Sequence, residues 1–234
     1  MKIEVTPIAY IRSCFKEKFA TPRQPGLVEN ALGEIELIPP FNHPDSVLGL
    51  EECSHIWLEF VFHQCIDQGW KPKVRPPRLG GNKKMGVFAT RATHRPNGLG
   101  LSVVKLEKVE TLNSKVVLHV SGLDLIDGTP IIDIKPYIPY SDSIQDATYP
   151  FAQKAPINIP VLFNELTEKH LENQIQFKQL IVQVLAQDPK PAFHGIDSQR
   201  VYGANLENNN IKWVYKQESD SDNHFIEVIA IEPC

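Results

Sequence analysis

The sequence predicts a mainly β protein in which a closed or nearly closed β-barrel precedes a small α+β domain. Up to about residue 150, roughly seven segments show strand patterns at fairly even spacing, and none there is a convincing helix. The chain holds 19 prolines against 13 glycines, which favours short strands joined by rigid turns. The pattern changes after Pro160, so residues 141–155 are the predicted boundary between domains of 1–150 and 155–234.

The predicted barrel strands differ in how clearly their side chains alternate. The clearest covers residues 55–64, where apolar and polar side chains alternate with a period of two. The first predicted strand, residues 3–11, is interrupted by a proline. The last begins at Ile131 and leads into a proline-stiffened arm at residues 136–142. The remaining predicted strands cover residues 33–38, 85–90, 101–110 and 115–121.

The second domain is predicted to contain an amphipathic helix followed by two strands. Five apolar side chains follow the helical spacing, and Asp188 followed by Pro189 ends the helix. Two further strands are predicted around Asn208–Asn210, because side chains alternate over residues 211–215 and again over residues 225–231. The side chains that define the helix face are Phe177, Leu180, Ile181, Val184 and Leu185.

Composition favours a globular protein of the cytoplasm. Apolar residues make up 42% of the chain, which is enough to bury a core. No apolar run reaches the roughly 18 residues of a membrane span, and the N-terminus lacks the apolar segment of a signal peptide. The cysteines show no C-x-x-C spacing, so neither a metal site nor a disulfide framework is predicted. They are Cys14, Cys53, Cys65 and Cys234.

One segment concentrates positive charge in a chain whose formal net charge is -4. Residues 70–95, called here the basic belt, contain eight lysines and arginines and no carboxylate. Because the rest of the chain is acidic, the belt should produce a directed positive field that attracts phosphate. A solvated, flexible surface loop would explain the same charge run. The belt cations are Lys71, Lys73, Arg75, Arg78, Lys83, Lys84, Arg91 and Arg95.

The signatures of several common enzyme classes are absent from the sequence. Gly98-Leu99-Gly100 lacks the third glycine of a dinucleotide-binding loop, and it leads into a strand pattern where that loop leads into a helix. The sequence contains no G-x-x-x-x-G-K-[ST], no H-E-x-x-H and no G-x-S-x-G. Rossmann enzymes, phosphate-loop NTPases and the simplest metal hydrolases are therefore disfavoured. The residues alone indicate a β-rich protein with a stiff, basic cleft suited to a polyanion.

Four stretches form a more specific combination: Thr21–Leu27, Arg91–Ser102, Gly122–Pro130 and Asp133–Tyr137. A fifth, Asp188-Pro189-Lys190-Pro191, lies in the second domain. Together they resemble the TrmO/YaeB-like family, bacterial tRNA methyltransferases that act on the modified adenosine beside the anticodon. The resemblance spans nearly the whole chain, and the combination is far more specific than any single stretch.

The resemblance implies a fold, a cofactor and a reaction. It implies a single-sheeted β-barrel that binds S-adenosylmethionine, a homodimer, and methyl transfer to the exocyclic amine (N6) of threonylcarbamoyladenosine in tRNA. Three loops from one barrel end are expected to hold the cofactor. The cofactor contacts implied by the family are Arg23, Gln24, Pro25, His63, Gln64, Arg91, Leu101, Asp124, Leu125, Ile126 and Asp127.

Methyl transfer to an adenine amine needs aligned substrates and an acceptor for the amine proton. Asp133 is the first candidate acceptor, with Lys135 and Tyr137 as positioning neighbours. A strand-end ion pair with packing would explain the same three residues. The belt cations other than Arg91 are predicted to grip tRNA phosphates without reading sequence. A non-enzymatic RNA-binding module and an enzyme with a small anionic substrate are the alternatives.

Overall fold

The computed structural model of this chain describes residues 1–76, 83–112, 115–191, 194–217 and 223–234. Within those residues the strands form a closed six-stranded barrel, a four-stranded C-terminal sheet and a two-stranded ribbon. The predicted fold class, a β-barrel with a C-terminal α+β region, is confirmed. The strands are β1 (Ala9–Ser13), β2 (Leu32–Leu37), β3 (His55–Val61), β4 (Lys73–Val74), β5 (Met85–Gly86), β6 (Leu99–Leu112), β7 (Lys115–Ser121), β8 (Pro130–Pro136), β9 (Val161–Phe163), β10 (Tyr202–Leu206), β11 (Asn209–Gln217) and β12 (His224–Pro233).

The strands of the barrel follow the order β1-β2-β7-β6-β3-β8, and each pairs antiparallel with its neighbours. On β3, Ile56, Leu58 and Phe60 point inward and are buried, while Trp57 and Glu59 lie on the outer face. The period-two pattern of this strand therefore predicted its orientation correctly. A barrel this narrow is filled by side chains, so its interior is a packed core.

The helices lie mainly in the C-terminal region. The residues predicted to share one helix face are all buried on the third of these helices. That helix stops before Asp188, which adopts a left-handed φ of 53°, and Pro189 follows. Asn164 caps the second helix by accepting a hydrogen bond from the Thr167 N–H. The helices are α1 (Pro139–Asp142), α2 (Glu165–His170) and α3 (Ile175–Ala186).

Two predicted strands have different limits in the structure. The strand predicted at 55–64 ends at Val61, because the chain turns into a 3-10 helix over residues 63–68. The first strand begins at Ala9 and continues two residues beyond its predicted end. Pro7 has no N–H to donate to a neighbouring strand, which is consistent with pairing starting after it.

Some elements escaped prediction because their patterns are too short. The segment predicted as a strand at 85–90 keeps strand geometry only in β5 and then turns into a 3-10 helix. β9 has three residues, too few for a periodicity to be read. The β10 pattern is interrupted by Gly203. β9 pairs in parallel with β12, which places it at the edge of the C-terminal sheet.

The barrel and the C-terminal sheet share one apolar core. This core contains Ile35 and Leu58 from the barrel together with Leu180 and Trp213 from the C-terminal region. The chain passes from one sheet to the other through residues 143–160, which form no strand or helix. The limits 1–150 and 155–234 for two separate domains stay a prediction.

Strand direction brings three connections to the same end of the barrel, called here the loop end. Because neighbouring strands run antiparallel, the connections after β1, β3 and β7 leave from the same side. They span residues 14–31, 62–98 and 122–129. The connection after β2 and the arm after β8 lie at the opposite end. The resemblance places its implied cofactor residues in the three loop-end connections and on the adjoining part of β6.

Packing of the barrel wall predicts the effect of a single methyl group at Gly33. A Cβ there would lie 2.5 Å from Leu123 Cδ2 and 2.8 Å from the carbonyl oxygen of Arg12. The backbone oxygen has little freedom to move, so Gly33→Ala should lower the free energy of unfolding by about 1–3 kcal/mol. Gly86→Ala is the control, because a Cβ there meets nothing within 4 Å. Equal denaturation midpoints for the two variants would contradict this packing.

Candidate functional site

The first loop-end connection lies directly against the third. The Gly26 N–H donates to the carbonyl oxygen of Gly122 at 2.8 Å. Both glycines have left-handed backbones, with φ of 76° and 71°. A Cβ on Gly122 would lie 3.6 Å from the Cα of Gly26. The two glycines therefore permit a close approach of the loop that carries Arg23, Gln24 and Pro25 to the loop that begins at Gly122.

Side chains from all three connections converge at this contact. The Arg91 guanidinium donates from Nη1 to Gln24 Oε1 at 2.6 Å. Ser102 Oγ donates to Asp124 Oδ1 at 2.7 Å. Burial raises the pKa of Asp124 from an ordinary 3.8 to about 6, although the bond from Ser102 and the charge of Arg91 oppose that rise. The structure thus brings together Gln24, Arg91 and Asp124, which are far apart in the sequence.

The predicted pair His63 and Gln64 begins the 3-10 helix that follows β3. Lys18 joins this helix to the first connection by donating from Nζ to the carbonyl oxygen of Gln64 at 3.1 Å. His63 is half-buried, and the Gln64 side chain is exposed. Both residues therefore lie at the loop end, on a helix where the sequence predicts the end of a strand.

Three of the implied cofactor residues make contacts within the protein, two through their side chains and one through its backbone carbonyl. Leu125 is buried in the core with 2% of its surface exposed. The Ile126 carbonyl accepts from the Thr129 hydroxyl at 2.6 Å. Asp127 accepts from the Ser13 N–H at 2.8 Å through Oδ1, and it pairs with Lys16 at 3.0 Å through Oδ2. Asp127 therefore ties the third connection to the end of β1.

Leu101 and Asp133 lie at one level on the outer face of the barrel. Glu59 of β3 is paired with Leu101 on one side and with Asp133 on the other. Neighbouring strands are about 4.8 Å apart, so the two backbones are separated by roughly 10 Å. Leu101 is 52% exposed.

The candidate acceptor Asp133 is part of an ion pair network. Lys135 donates from Nζ to Glu59 Oε1 at 2.8 Å and to Asp133 Oδ2. These two carboxylates raise the pKa of Lys135, with the hydrogen bond to Asp133 as the largest cause. The contact between Lys135 and Asp133 is the one expected for a strand-end ion pair. Lys135 is also bound to Glu59, so two carboxylates share its charge.

Tyr137 lies at the opposite end of the barrel. Its N–H donates to the carbonyl oxygen of His55, the first residue of β3, at 3.0 Å. Its ring packs on Trp57, with 5.9 Å between ring centroids. The Trp57 indole in turn donates to Asp142 Oδ2 at 2.8 Å. Within one chain, the structure does not bring Tyr137 to the group formed by Gln24, Arg91 and Asp124.

The described part of the basic belt adjoins the loop end. The ribbon of β4 and β5 is attached at its base, where the Lys71 N–H donates to the His94 carbonyl at 3.2 Å. Burial, Lys71 and Lys18 together lower the pKa of His94. Of the predicted phosphate contacts, Arg78 lies outside the described residues. The exposed belt cations are Lys71, Lys73, Arg75, Lys83, Lys84 and Arg91.

Arg95 is bound more closely to the protein than the other belt cations. Its Nη1 donates to the carbonyl oxygens of Thr90 at 2.7 Å and Val87 at 3.2 Å. Its guanidinium lies 5.8 Å from the centre of the Phe88 ring. These contacts hold the turn before β6, so part of the hydrogen-bonding capacity of Arg95 is already used.

Comparison with known proteins identifies the family. The profile of the tRNA-methyltransferase O N-terminal domain matches residues 10–143, and that of the TrmO C-terminal domain matches residues 156–234. The chain belongs to the TrmO family. The resemblance inferred from sequence motifs is therefore confirmed.

Several known proteins are similar to this chain over nearly their whole length. The tRNA (adenine(37)-N6)-methyltransferase of Escherichia coli is 48% identical over 97% of this chain and 96% of its own. The putative S-adenosylmethionine-dependent methyltransferase RcsF of Pseudomonas aeruginosa is 49% identical over 92% of this chain and 94% of its own. The crystal structure of TrmO from Pseudomonas aeruginosa superposes with a TM-score of 0.80 at 41% identity, covering 99% of this chain and 98% of that one.

Two side chains at the candidate site were missed by sequence reasoning. Ser102, which is almost fully buried, binds Asp124, and Lys18 connects the first connection to Gln64. Ser102 is the last residue of the Arg91–Ser102 stretch that carries the resemblance, so its position offered a signal. Lys18 offered none, because only the folded chain brings it to residue 64.

Two features are absent from the part of the chain that the structure describes. Within it, no helix is long and apolar enough to cross a membrane. It also contains no group of three or more His, Cys, Asp or Glu side chains that could hold a metal ion.

The buried carboxyl of Asp124 predicts a pH-dependent stability. Its pKa is about 6 in the folded protein and an ordinary 3.8 when exposed. The folded state therefore binds the proton more tightly, and the resulting stability is present below pH 3.8 and lost as the pH rises through about 6. Asp124→Asn keeps an oxygen for Ser102 and cannot ionise. The free energy of unfolding of Asp124→Asn minus that of the wild type should increase by roughly 2–3 kcal/mol between about pH 4 and pH 7, because only the wild type loses this contribution as the pH rises.

Denaturant unfolding at several pH values measures this difference. Asp146→Asn, at an exposed position in the segment between the two sheets, is the matched control and should show little change in the difference. A difference for Asp124→Asn that stays constant across the same pH range would show that burial does not penalise this carboxylate.

Proposed function

We propose that this chain transfers a methyl group from S-adenosylmethionine to N6 of threonylcarbamoyl-modified adenine 37 in tRNA. Family membership and the names of its near full-length relatives confirm the predicted class, an S-adenosylmethionine-dependent adenine-N6 methyltransferase that acts on tRNA. The threonylcarbamoyl form of the adenine is our further step. The observation that carries the proposal is the meeting of Gln24, Arg91 and Asp124 at the loop end, beside a basic ribbon.

The groups at this contact fit the chemistry of S-adenosylmethionine. The cofactor carries a carboxylate, ribose hydroxyls, an adenine and a sulfonium cation. Arg91 can pair with the carboxylate, since its guanidinium is exposed and donates to the neutral amide of Gln24. Asp124 can accept from hydroxyls or face the cation, which would favour its ionised form. The cofactor supplies the methyl group, and these residues would bind and orient it.

Methyl transfer is an in-line displacement, so much of the barrier can be lowered by alignment alone. An adenine amine is a weak nucleophile because its lone pair is delocalised into the ring. We place Asp133 as the acceptor for an amine hydrogen. Lys135 is bonded to both Asp133 and Glu59, so it could stay with Glu59 while Asp133 turns to the amine. Tyr137 is kept as a positioning residue of the arm after β8.

The belt would hold the tRNA through its phosphates. Its exposed lysines and arginines lie on the ribbon and on the segment that leads to Arg91. Such contacts position a nucleic acid without reading its sequence. The target base would be presented from the anticodon loop, where bases are accessible without opening a duplex.

We also propose a homodimer located in the cytoplasm. Leu99 and Leu101 leave 37% and 52% of their surface exposed on the outer face of β6. A second copy packed there would cover both leucines. It would also bring its own loop end close to Leu101, an implied cofactor contact. The proposed location follows from the tRNA substrate.

Nucleoside analysis tests the reaction. The purified protein is incubated with labelled S-adenosylmethionine and tRNA from cells that lack it, and the tRNA is digested for mass analysis. We expect the label on threonylcarbamoyladenosine as an N6-methyl group. tRNA that lacks the threonylcarbamoyl group is the control substrate. Label on unmodified adenine 37 would overturn the threonylcarbamoyl step but keep the enzyme class.

Binding and turnover measurements separate the two alternatives. Binding of tRNA without any binding of S-adenosylmethionine in calorimetry would indicate a non-enzymatic RNA-binding module. Cofactor turnover that does not depend on tRNA or salt would indicate a small anionic substrate.

Charge reversal on the ribbon tests the proposed tRNA contacts. Lys73→Glu combined with Arg75→Glu should weaken tRNA binding at least about tenfold and lower the salt dependence of log K by about 1.5, as expected for two lost phosphate contacts. The affinity for S-adenosylmethionine should stay unchanged, because neither side chain contacts the group around Arg91. Filter binding at several salt concentrations and calorimetry give the two affinities.

A control with the same change in charge is available on other surfaces. Lys2→Glu combined with Lys169→Glu reverses two exposed lysines at the N-terminus and on α2. This variant should keep both affinities. Equal loss of tRNA and cofactor binding in the ribbon variant would show that the belt is structural.

A further inference from the structure

The connection between β1 and β2 is attached to the C-terminal sheet at several points before it reaches Arg23 and Gln24. Phe15 forms an isolated β-bridge with Leu206, and the Glu207 N–H donates to the Cys14 carbonyl at 2.8 Å. The sheet therefore contacts the first residues of the same connection that meets Arg91 and Asp124. The contacts continue along residues 14–19, called here the clamped segment.

The side chain of Glu17, in the clamped segment, makes the next contact with the C-terminal sheet. Glu17 Oε1 accepts a hydrogen bond from the Asn205 backbone N–H at 2.9 Å. The Glu17 carbonyl accepts from the Thr21 hydroxyl at 2.6 Å, which links the segment to the start of the Thr21–Leu27 stretch. Asn205 lies on β10, whose position is fixed by pairing with β11. Glu17 therefore connects a rigid strand to the proposed cofactor loop.

Aromatic stacking provides a second, independent contact. The Phe19 ring lies parallel to the Trp213 indole, with 5.9 Å between centroids and 7° between planes. Trp213 in turn stacks on Tyr202 at 5.9 Å. The indole is completely buried in the core of the C-terminal sheet. Phe19 is thus packed on a surface that has little freedom to move.

The backbone next to Phe19 has a conformation that the chain would not keep without such contacts. Ala20 is buried and has a φ of 65°, in the left-handed region that L-residues rarely adopt. Conformations of this kind persist where surrounding structure determines them, and they are frequent at ligand-binding sites. The strained residue lies between Phe19 and the stretch that carries Arg23, Gln24 and Pro25.

We infer that the C-terminal sheet sets the conformation of the β1–β2 connection, with Glu17 and Phe19 as positioning residues for the cofactor site. This inference rests on the proposed function for its effect on cofactor affinity. The ordering of the β1–β2 connection by the C-terminal sheet does not rest on the proposed function, because it follows from the contacts of Phe15, Glu17 and Phe19 alone. The sheet contributes through conformation, since Glu17 and Phe19 bind C-terminal residues and make no contact with Gln24, Arg91 or Asp124 in the described structure.

A pair of substitutions at Glu17 isolates the hydrogen bond from the charge. Glu17→Ala removes the acceptor for the Asn205 N–H, whereas Glu17→Gln keeps an oxygen at that position and also removes the charge. Because a part-buried N–H is left unsatisfied, Glu17→Ala should weaken S-adenosylmethionine binding about tenfold, and Glu17→Gln should stay near the wild type. Calorimetry measures both affinities.

Phe19→Leu tests the stacked contact in the same assay. It keeps an apolar side chain and removes the ring, and we expect a loss of affinity about as large as for Glu17→Ala. Phe41→Leu is the control, since Phe41 lies in the connection after β2 at the opposite end of the barrel. Phe41→Leu should leave cofactor affinity unchanged.

Hydrogen exchange supplies a readout that does not depend on the cofactor. Amides of residues 14–27 should exchange faster in Glu17→Ala and Phe19→Leu, while those of β3 and β7 keep wild-type protection. If exchange is unchanged in both variants, the sheet does not order the connection and the inference is wrong. Faster exchange with unchanged cofactor affinity would also overturn the positioning role. A wild-type protein that fails to bind S-adenosylmethionine would overturn the proposed function, and the exchange result would still decide whether the sheet orders the connection.

Discussion

Closure of an antiparallel barrel is the constraint on which the candidate site depends. β8 returns to β1 through a short pairing, in which Ala9 lies opposite Ile131 and Tyr10 opposite Pro130. The Ile8 N–H extends this contact by donating to the Ile131 carbonyl at 2.8 Å. Once the barrel is closed, strand direction requires that the connections after β1, β3 and β7 share one end. Residues one hundred positions apart, such as Gln24 and Asp124, become neighbours for this reason.

Unequal strand lengths give this end its polar character. β6 has 14 residues and β7 has seven, and Lys105 is paired with Ser121 at the end of β7. Residues 99–104 therefore extend beyond β7, and the connection that begins at Gly122 lies beside them. Ser102 points inward from this extension and donates to Asp124. A carboxyl group is thus held in a partly desolvated position at the barrel mouth, where burial raises its pKa.

The sequence was most informative where a local pattern decides the structure. Alternation in residues 55–61 is enough to orient β3, because one face of a barrel strand is always buried. The same kind of pattern placed the helix over residues 175–186. The bond between Arg91 and Gln24 joins residues 67 positions apart, and no local pattern predicts it. Motif resemblance supplied both residues as site candidates, but their contact depends on barrel closure.

Closeness in sequence does not place Tyr137 beside Asp133 in the fold. It follows Asp133 by four residues, which suggested that both serve one site. A strand advances about 3.3 Å per residue, so the strand carries the Tyr137 backbone roughly 13 Å away from Asp133 and toward the opposite end. Phe19 and Trp213 are far apart in the sequence but adjacent in the fold. Nothing in the sequence around either residue indicates that their rings stack.

Two connections at the loop end therefore have different physical properties, and this separates the roles we propose for them. The β3–β6 connection carries the belt cations on a ribbon that does not pair with the barrel, so its charge can attract phosphate without being part of the core. The β1–β2 connection has the opposite character, since it is packed on the C-terminal sheet and contains a strained backbone at Ala20. Asp127 joins the third connection to the end of β1 through Ser13 and Lys16. In the roles we propose, the C-terminal region would influence cofactor binding through the β1–β2 connection, and attraction of tRNA would depend on the β3–β6 connection.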